Sequence, residues 1–295
     1  MLTRRDFAAS AAAVGAAALW PLARDASAQA DSRRIVAVGG ALTETLYLLG
    51  AQAEIVGVDT TSLFPAQAQQ LPSVGYARAL SAEGVLSLRP TLVVASGEAG
   101  PPAVLRQLEA ARVPVAVLDA EHRIEGLLAR TRRLAELVGR SNEGDALAAK
   151  LQAEWTATQA RVAALSAGRQ APRVLFVLSH SMAQLRIGGR GTAADAAITY
   201  AGGRNAVGEI DGFKPLTPES AIAAAPDLIL STEQGLTAAG GIDGLLKAPG
   251  LAATPAGRAR RVVALEALYL LGFGPRLPQA VAQLAGLLHT GAGKA

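Results

Sequence analysis

The chain has 295 residues, a formal charge of +4 and 51% hydrophobic residues, enough apolar material to bury a core in one large domain or two smaller ones. It contains no cysteine, which excludes disulfides, thiolate metal sites and cysteine nucleophiles. Basic groups are scattered or fall on predicted helices, as in Arg130, Arg132 and Arg133, and aromatics make up 4% of the chain. With no stacking platform beside the cations, nucleic-acid binding is not expected.

The chain opens with Thr3-Arg4-Arg5-Asp6-Phe7, an uncharged Ala-rich run from Ala8 to Leu19, and then Ala28-Gln29-Ala30. That succession predicts a twin-arginine export peptide over residues 1–30, cut before Asp31. The run is too short and too rich in alanine to span a membrane. Cleavage removes three basic and two acidic residues and leaves a formal charge of +3. With no cysteine to carry a lipid, a soluble periplasmic protein is expected rather than a tethered one.

In the remaining chain, strands and helices alternate. Arg34 to Val38 reads as a strand, Leu42 to Leu49 as a helix stopped by Gly50, and Ile55 to Val58 as a strand, followed by a loop from Thr60 to Ala79. A short helix and a buried strand follow, then a helix from Pro102 to Arg112 and a strand from Val115 to Leu118, which makes four strands in a first lobe. From Ser141, read as an N-cap, to Gly168, read as a stop, there is no proline, and Leu147, Leu151, Trp155, Val162 and Leu165 recur at helical spacing. One helix of about 25 residues, roughly 40 Å long, is predicted there. A second lobe begins near Arg173. Its predicted strands are Val174 to Leu178, a short one near Ala206, Leu228 to Leu230, and Val262 to Leu265; its helices are Ala193 to Tyr200, Pro218 to Ala224 and Pro278 to His289. The expected fold is α/β, with two Rossmann-like lobes over residues 31–140 and 169–295, each with a central sheet, joined by a rigid helix over 141–168. A ligand cleft between the lobes is expected to be largely preformed.

An internal repeat ties the lobes together. LSAEGVLSLRPTLVVAS from Leu80 to Ser96 matches LTPESAIAAAPDLILST from Leu216 to Thr232. In each copy a hydroxyl residue, Ser81 or Thr217, caps a short helix, a glutamate falls in its first turn, and Pro90 or Pro226 ends it before a buried strand. Glu83 and Glu219 therefore occupy matching points. A glutamate so placed complements the helix dipole by about 0.3–1 kcal/mol without any partner; the alternative is a partner that touches both lobes and reads both carboxylates.

The runs LPSVGYARALSAEGVLSLRPTLVVAS and EAGPP, LFVLSHS in mid-chain, GFKPLTPESAIAAAPDLIL, and LYLLGFGPRLPQAV resemble the periplasmic haem-binding components of ABC-type haem importers, over essentially the whole mature chain. The paired glutamates and helical bridge are shared with the wider class of cobalamin- and siderophore-binding proteins; VGYARALSAEG and LSHS are more specific to the haem branch. The resemblance implies a class III periplasmic binding protein that captures haem b between its lobes and delivers it to an inner-membrane ABC permease dimer. An outer-membrane haem receptor system would act upstream as an indirect partner.

The same resemblance makes Tyr76 the haem iron ligand, a hard phenolate suited to ferric iron that nearby positive charge must hold deprotonated. On residue type alone, Tyr76 reads as a loop aromatic closing over a core. Arg78, Arg186, Arg190 and Lys214 are candidates to pair with the tyrosinate or with haem propionates. In some relatives a histidine at the position of His180 supplies a second iron ligand; here Ser181-Met182-Ala183-Gln184 follows it, without the glycine-rich stretch of many relatives. The bare alternative for His180 is a hydrogen-bonding loop histidine, and Met182 is a packing residue before it is a soft ligand. In the superfamily the paired glutamates dock into arginine pockets on the permease, one lobe to each subunit, and Glu83 and Glu219 take that role by resemblance.

Three other readings compete with this one. A ferric siderophore or cobalamin carrier on the same scaffold needs no iron contact from Tyr76. The histidines, His122, His180 and His289, lie far beyond any HxxxH spacing, which disfavours a zinc or manganese carrier. A periplasmic enzyme of Rossmann-like fold is disfavoured because VAVGGALTETL lacks GxGxxG and no GxSxG elbow occurs. No enzymatic turnover is expected.

Overall fold

A computed structural model describes residues 33–119, 121–179 and 185–290. The predicted export peptide, His180 and Met182 lie outside them. The first sheet holds strands β1 (Ile35–Val38), β2 (Ile55–Val58), β3 (Leu92–Ser96) and β4 (Val115–Leu118), all parallel in the order β2-β1-β3-β4. Strand β1 is buried on both faces, as an apolar run in a parallel sheet with helices on both sides must be. Helices α1 (Gly40–Leu48), α2 (Ala82–Ser87), α3 (Pro102–Ala110) and α4 (Ile124–Leu137) belong to this half. One cluster around Leu42, Leu46, Leu118 and Leu134 fills one face of the sheet, and another around Val36, Val85, Val93 and Leu108 fills the other.

Helix α5 (Ser141–Ser166) crosses to the second half as one 26-residue element, about 39 Å long. Ser141 does not cap it: Arg140 occupies the N-cap without a side-chain bond, and Ser141 is already helical. Arg140 is committed instead to an ion pair with Glu54 at 2.7 Å. At the far end Gly168, with φ +68°, supplies the left-handed residue that ends the helix. Leu151, Trp155 and Val162 face the core, and Leu147 packs against the clusters of both halves.

The second half contains β5 (Arg173–Leu178), β6 (Arg186–Gly188), α6 (Ala193–Tyr200), β7 (Arg204–Asn205), β8 (Phe213–Pro215), α7 (Pro218–Ala224) and β9 (Leu228–Thr232). It continues through α8 (Glu233–Ala238), α9 (Gly241–Leu246), α10 (Pro255–Arg258), β10 (Val262–Leu265), α11 (Ala267–Leu271) and α12 (Leu277–His289). Strands β10, β9 and β5 are parallel, β7 pairs parallel with β5, and β6 and β8 extend the sheet as an antiparallel edge. Strands β6 and β8, of three residues each, are too short to print a period on the sequence and were not predicted.

The halves meet at a polar latch. Arg276, just before α12, donates from Nε to both carboxylate oxygens of Glu44 on α1, and its guanidinium lies 4.0 Å from the centre of the Phe64 ring and 5.1 Å from that of Tyr269. Buried Arg130 on α4 donates to the Phe273 carbonyl; burial lowers its pKa to about 10, so it stays charged. Backbones come close here: a Cβ on Gly40 would lie 2.3 Å from the Thr61 carbonyl oxygen and 2.8 Å from a Leu268 methyl.

Candidate functional site

Residues 72–80 run beside β2. Val58 donates to the Pro72 carbonyl at 3.0 Å, Val74 to that of Val58 at 2.9 Å, and Thr60 to that of Gly75 at 2.9 Å. Gly75 turns the chain at φ +91°, a left-handed conformation that a side chain would strain. Val74, Ala77 and Leu80 are buried, and the intervening Tyr76 is left 45% exposed at the start of a 3₁₀ turn, Ala77–Ala79. The sequence alone would equally allow a phenol folded into the core; the structure places it on the surface. Two further main-chain bonds, Gly100 to the Ala77 carbonyl and Leu80 to the Gly100 carbonyl, both 2.9 Å, staple this turn to the loop after β3.

That loop brings Glu98 to Arg78, with Nη2 and Oε1 2.7 Å apart. Arg78 follows Tyr76 by two residues in the same turn, and its charge acts on the phenol. Burial by itself lowers the Arg78 pKa, but the hydrogen bond and charge of Glu98, reinforced by Tyr76, carry it above its ordinary value. Both members of the ion pair are more than half exposed, so in water the pair is worth no more than about 1 kcal/mol.

Beside this cluster is a hollow of about 300 Å³ lined by Gly97, Glu98, Asp119, Glu121 and His122. Its walls rise from the carboxyl ends of β3 and β4, where open α/β sheets collect their ligands. A Cβ on Gly97 would meet Asp119 Oδ1 at 2.5 Å, so any larger residue would have to push that carboxylate aside. His122 reaches the second half. Its ring packs edge-on to Phe273 with centroids 5.1 Å apart, and the Gly191 backbone lies near enough to act on it. Burial, with a smaller contribution from Arg130, lowers its pKa against the opposing pull of Gly191 and Glu98, so the imidazole is neutral at pH 7. Among the described residues no group of three or more His, Asp or Glu side chains is placed to hold a metal ion. None of these lining residues was singled out from the sequence; their signal was their position just past two predicted strands.

The other candidate cations behave differently from one another. Arg190 is committed to Asp211, Nε to Oδ1 at 2.7 Å, and this hydrogen bond and its charge raise the arginine and lower the aspartate. Arg186 donates to the Phe213 carbonyl at 2.7 Å. In the β6–β8 ladder Arg186 lies opposite Pro215 and Lys214 opposite Ile187. Directly opposed residues share a face, so Arg186 and Lys214 leave this strand pair on opposite sides.

The two glutamates sit where the repeat predicts. Ser81 Oγ accepts from the Gly84 amide at 3.3 Å, and Thr217 and Ser220 form a reciprocal capping box at 3.1 and 3.0 Å. Glu83 and Glu219 occupy the first turns of α2 and α7, both exposed and without an ion-pair partner among the described residues.

A family model described as periplasmic binding protein matches residues 35–269. The chain belongs to the periplasmic binding protein family. It is similar to the periplasmic haem-binding protein BhuT, solved in complex with two haems, at 50% identity and a TM-score of 0.83 over 88% of this chain and 98% of that one. It is also similar to the periplasmic haem-binding protein RhuT of Roseiflexus sp. RS-1, solved in apo form, at 43% identity and a TM-score of 0.85 over 88% and 99%. An uncharacterised ABC transporter substrate-binding lipoprotein of Bacillus subtilis, YvrC, is 23% identical over 90% of this chain and 83% of its own length. The two-lobed α/β architecture with a helical bridge is that of the class III binding proteins.

Proposed function

We propose that this protein is a periplasmic haem carrier of an ABC importer, binding its cargo between the lobes with Tyr76 as the iron ligand. The observation that carries the reading is the phenol itself: a large aromatic held out from buried flanking residues, beside a cationic guanidinium. A cation at the phenol oxygen favours phenolate, the hard anionic donor that ferric iron prefers. Similarity to haem-binding structures at 50% and 43% identity supports the same cargo. Function lies in affinity, ligation and docking, with no turnover.

Within this reading Arg78 serves the tyrosinate, and the propionates take a cation from Arg190 or from one side of the β6–β8 ladder, Arg186 on one face or Lys214 on the other. His180 is a second iron ligand, and Glu83 and Glu219 dock on a permease dimer. Residues 1–30 direct twin-arginine export of a soluble protein, and the functional parts are a lobe over 31–140, a bridge over 141–168 and a lobe over 169–295.

The test is a hemin titration of the mature protein followed by absorption spectroscopy, with Tyr76→Phe beside it. Saturable binding with a phenolate-to-iron charge-transfer band that the variant lacks is expected, and the stoichiometry counts the haems. Absence of saturable binding would sink the reading in favour of a siderophore or cobalamin carrier on the same scaffold.

A further inference from the structure

Arg78 has two conceivable partners in a haem-loaded cleft, the phenolate of Tyr76 and a propionate. Its surroundings separate them. Glu98 Oε1 already sits 2.7 Å from Arg78 Nη2, so a propionate arriving at the same guanidinium would meet a carboxylate of like charge. The Tyr76 oxygen is an anion too when it ligates, but it stands two residues from Arg78 in the same turn and needs no second carboxylate brought in from the cargo.

The placement of Glu98 is built into the backbone. Its loop leaves β3 through Ser96, closes on itself with the Ala99 amide donating to the Ser96 carbonyl at 2.9 Å, and is joined to the Tyr76 turn by the two Gly100 bonds. Gly97 allows this loop to pass against Asp119. The backbones that carry the carboxylate and the phenol are thus fixed relative to one another, with the arginine spanning them.

We infer that Glu98 is a positioning residue: it holds Arg78 in the orientation that presents its guanidinium to the Tyr76 oxygen, and with the phenol ionised it leaves the Tyr76–Arg78–Glu98 group with one net negative charge. An exposed ion pair contributes little to the empty protein, but a flat apolar cargo lying on Tyr76 would exclude water from it and strengthen both interactions. A negative charge joined through Arg78 to an iron-ligating phenolate also favours ferric over ferrous iron. This inference rests on Tyr76 being the iron ligand.

The test uses the mature protein loaded with hemin, comparing wild type, Glu98→Gln, Glu98→Asp and Tyr76→Phe. Apo melting curves of all four first establish that each is folded, as an exposed position predicts. In Glu98→Gln the phenolate-to-iron band is expected to shift, the midpoint potential to move positive, and the dissociation constant to rise about fivefold; Glu98→Asp, which keeps the charge, should restore most of each. If Tyr76→Phe loses the band while Glu98→Gln matches wild type in band, potential and affinity, the positioning role is wrong and ligation stands. An unchanged band in Tyr76→Phe overturns the ligation and the positioning role with it.

Discussion

Arg276 Nε lies 2.9 Å from one oxygen of Glu44 and 3.0 Å from the other, joining positions 232 residues apart across the two halves. The Glu44 side chain is 4% exposed and that of Arg276 25%, so neither is well solvated without the other. Removing one member of such a pair strands a buried charge. Arg276→Met is expected to destabilise by about 3 kcal/mol, read as a lower urea midpoint at unchanged slope, and Glu44→Gln added to it should recover part of the loss.

Glu44 also gives the pair a pH signature. Burial raises its pKa above 4.5, Arg276 opposes this through its hydrogen bond and charge, and Glu266 adds to it. The folded protein therefore holds this proton more tightly than the unfolded chain, and the stabilisation is lost as pH rises through the folded value. The advantage of wild type over Glu44→Gln in urea should grow as pH falls from neutral towards 4.5. Parallel profiles would show that Glu44 titrates alike in both states.

His122 has the opposite sign. Its folded pKa lies below the ordinary 6.5, so its contribution is complete above that value and is lost as pH falls from 6.5 towards the folded pKa. Phe273, the Gly191 backbone, Glu98 and Arg130 are the groups that surround it. In His122→Gln the denaturation midpoint should fall less steeply than in wild type across that window.

Gly40 offers a steric test of how closely the halves are set. An added methyl would meet both the Thr61 carbonyl and Leu268, one from each half, so Gly40→Ala is expected to cost about 1–3 kcal/mol. A thermal midpoint equal to wild type would mean that the halves separate more readily than their packing implies.

Glu83→Ala with Glu219→Ala removes two exposed carboxylates and leaves both N-caps in place. Haem affinity is expected to be unchanged, while transport into proteoliposomes holding the cognate permease should fall at least tenfold if both sites bear on docking. Undiminished transport would return both glutamates to their helix-dipole role.

Elements with strong local signals were legible in the sequence: β2, β4, β10, α6 and α7 have the predicted bounds. Ser81 and Thr217 cap as their residue type suggested. Ser141 misled because a hydroxyl before a helical run is equally at home as the first helical residue when an arginine ahead of it is held by a distant glutamate. Of the site, Tyr76 and Arg78 could be read from one short motif. Glu98 and His122 could not, since their meaning depends on which strand ends adjoin in the sheet. The division of Arg186 from Lys214 was equally hidden, being a matter of register between two three-residue strands that are distant in the chain.

Helix α5 is more than a spacer. Trp155 and Val162 share a cluster with Ile124, Leu127 and Leu128 of α4 and with Val281, Leu284 and Leu288 of α12, while Leu147 touches the clusters of both halves. Excising either half would strip one flank of that helix to solvent. The protein is therefore one cooperative unit: calorimetry should give a single endotherm with equal calorimetric and van't Hoff enthalpies, and neither half should fold when expressed alone.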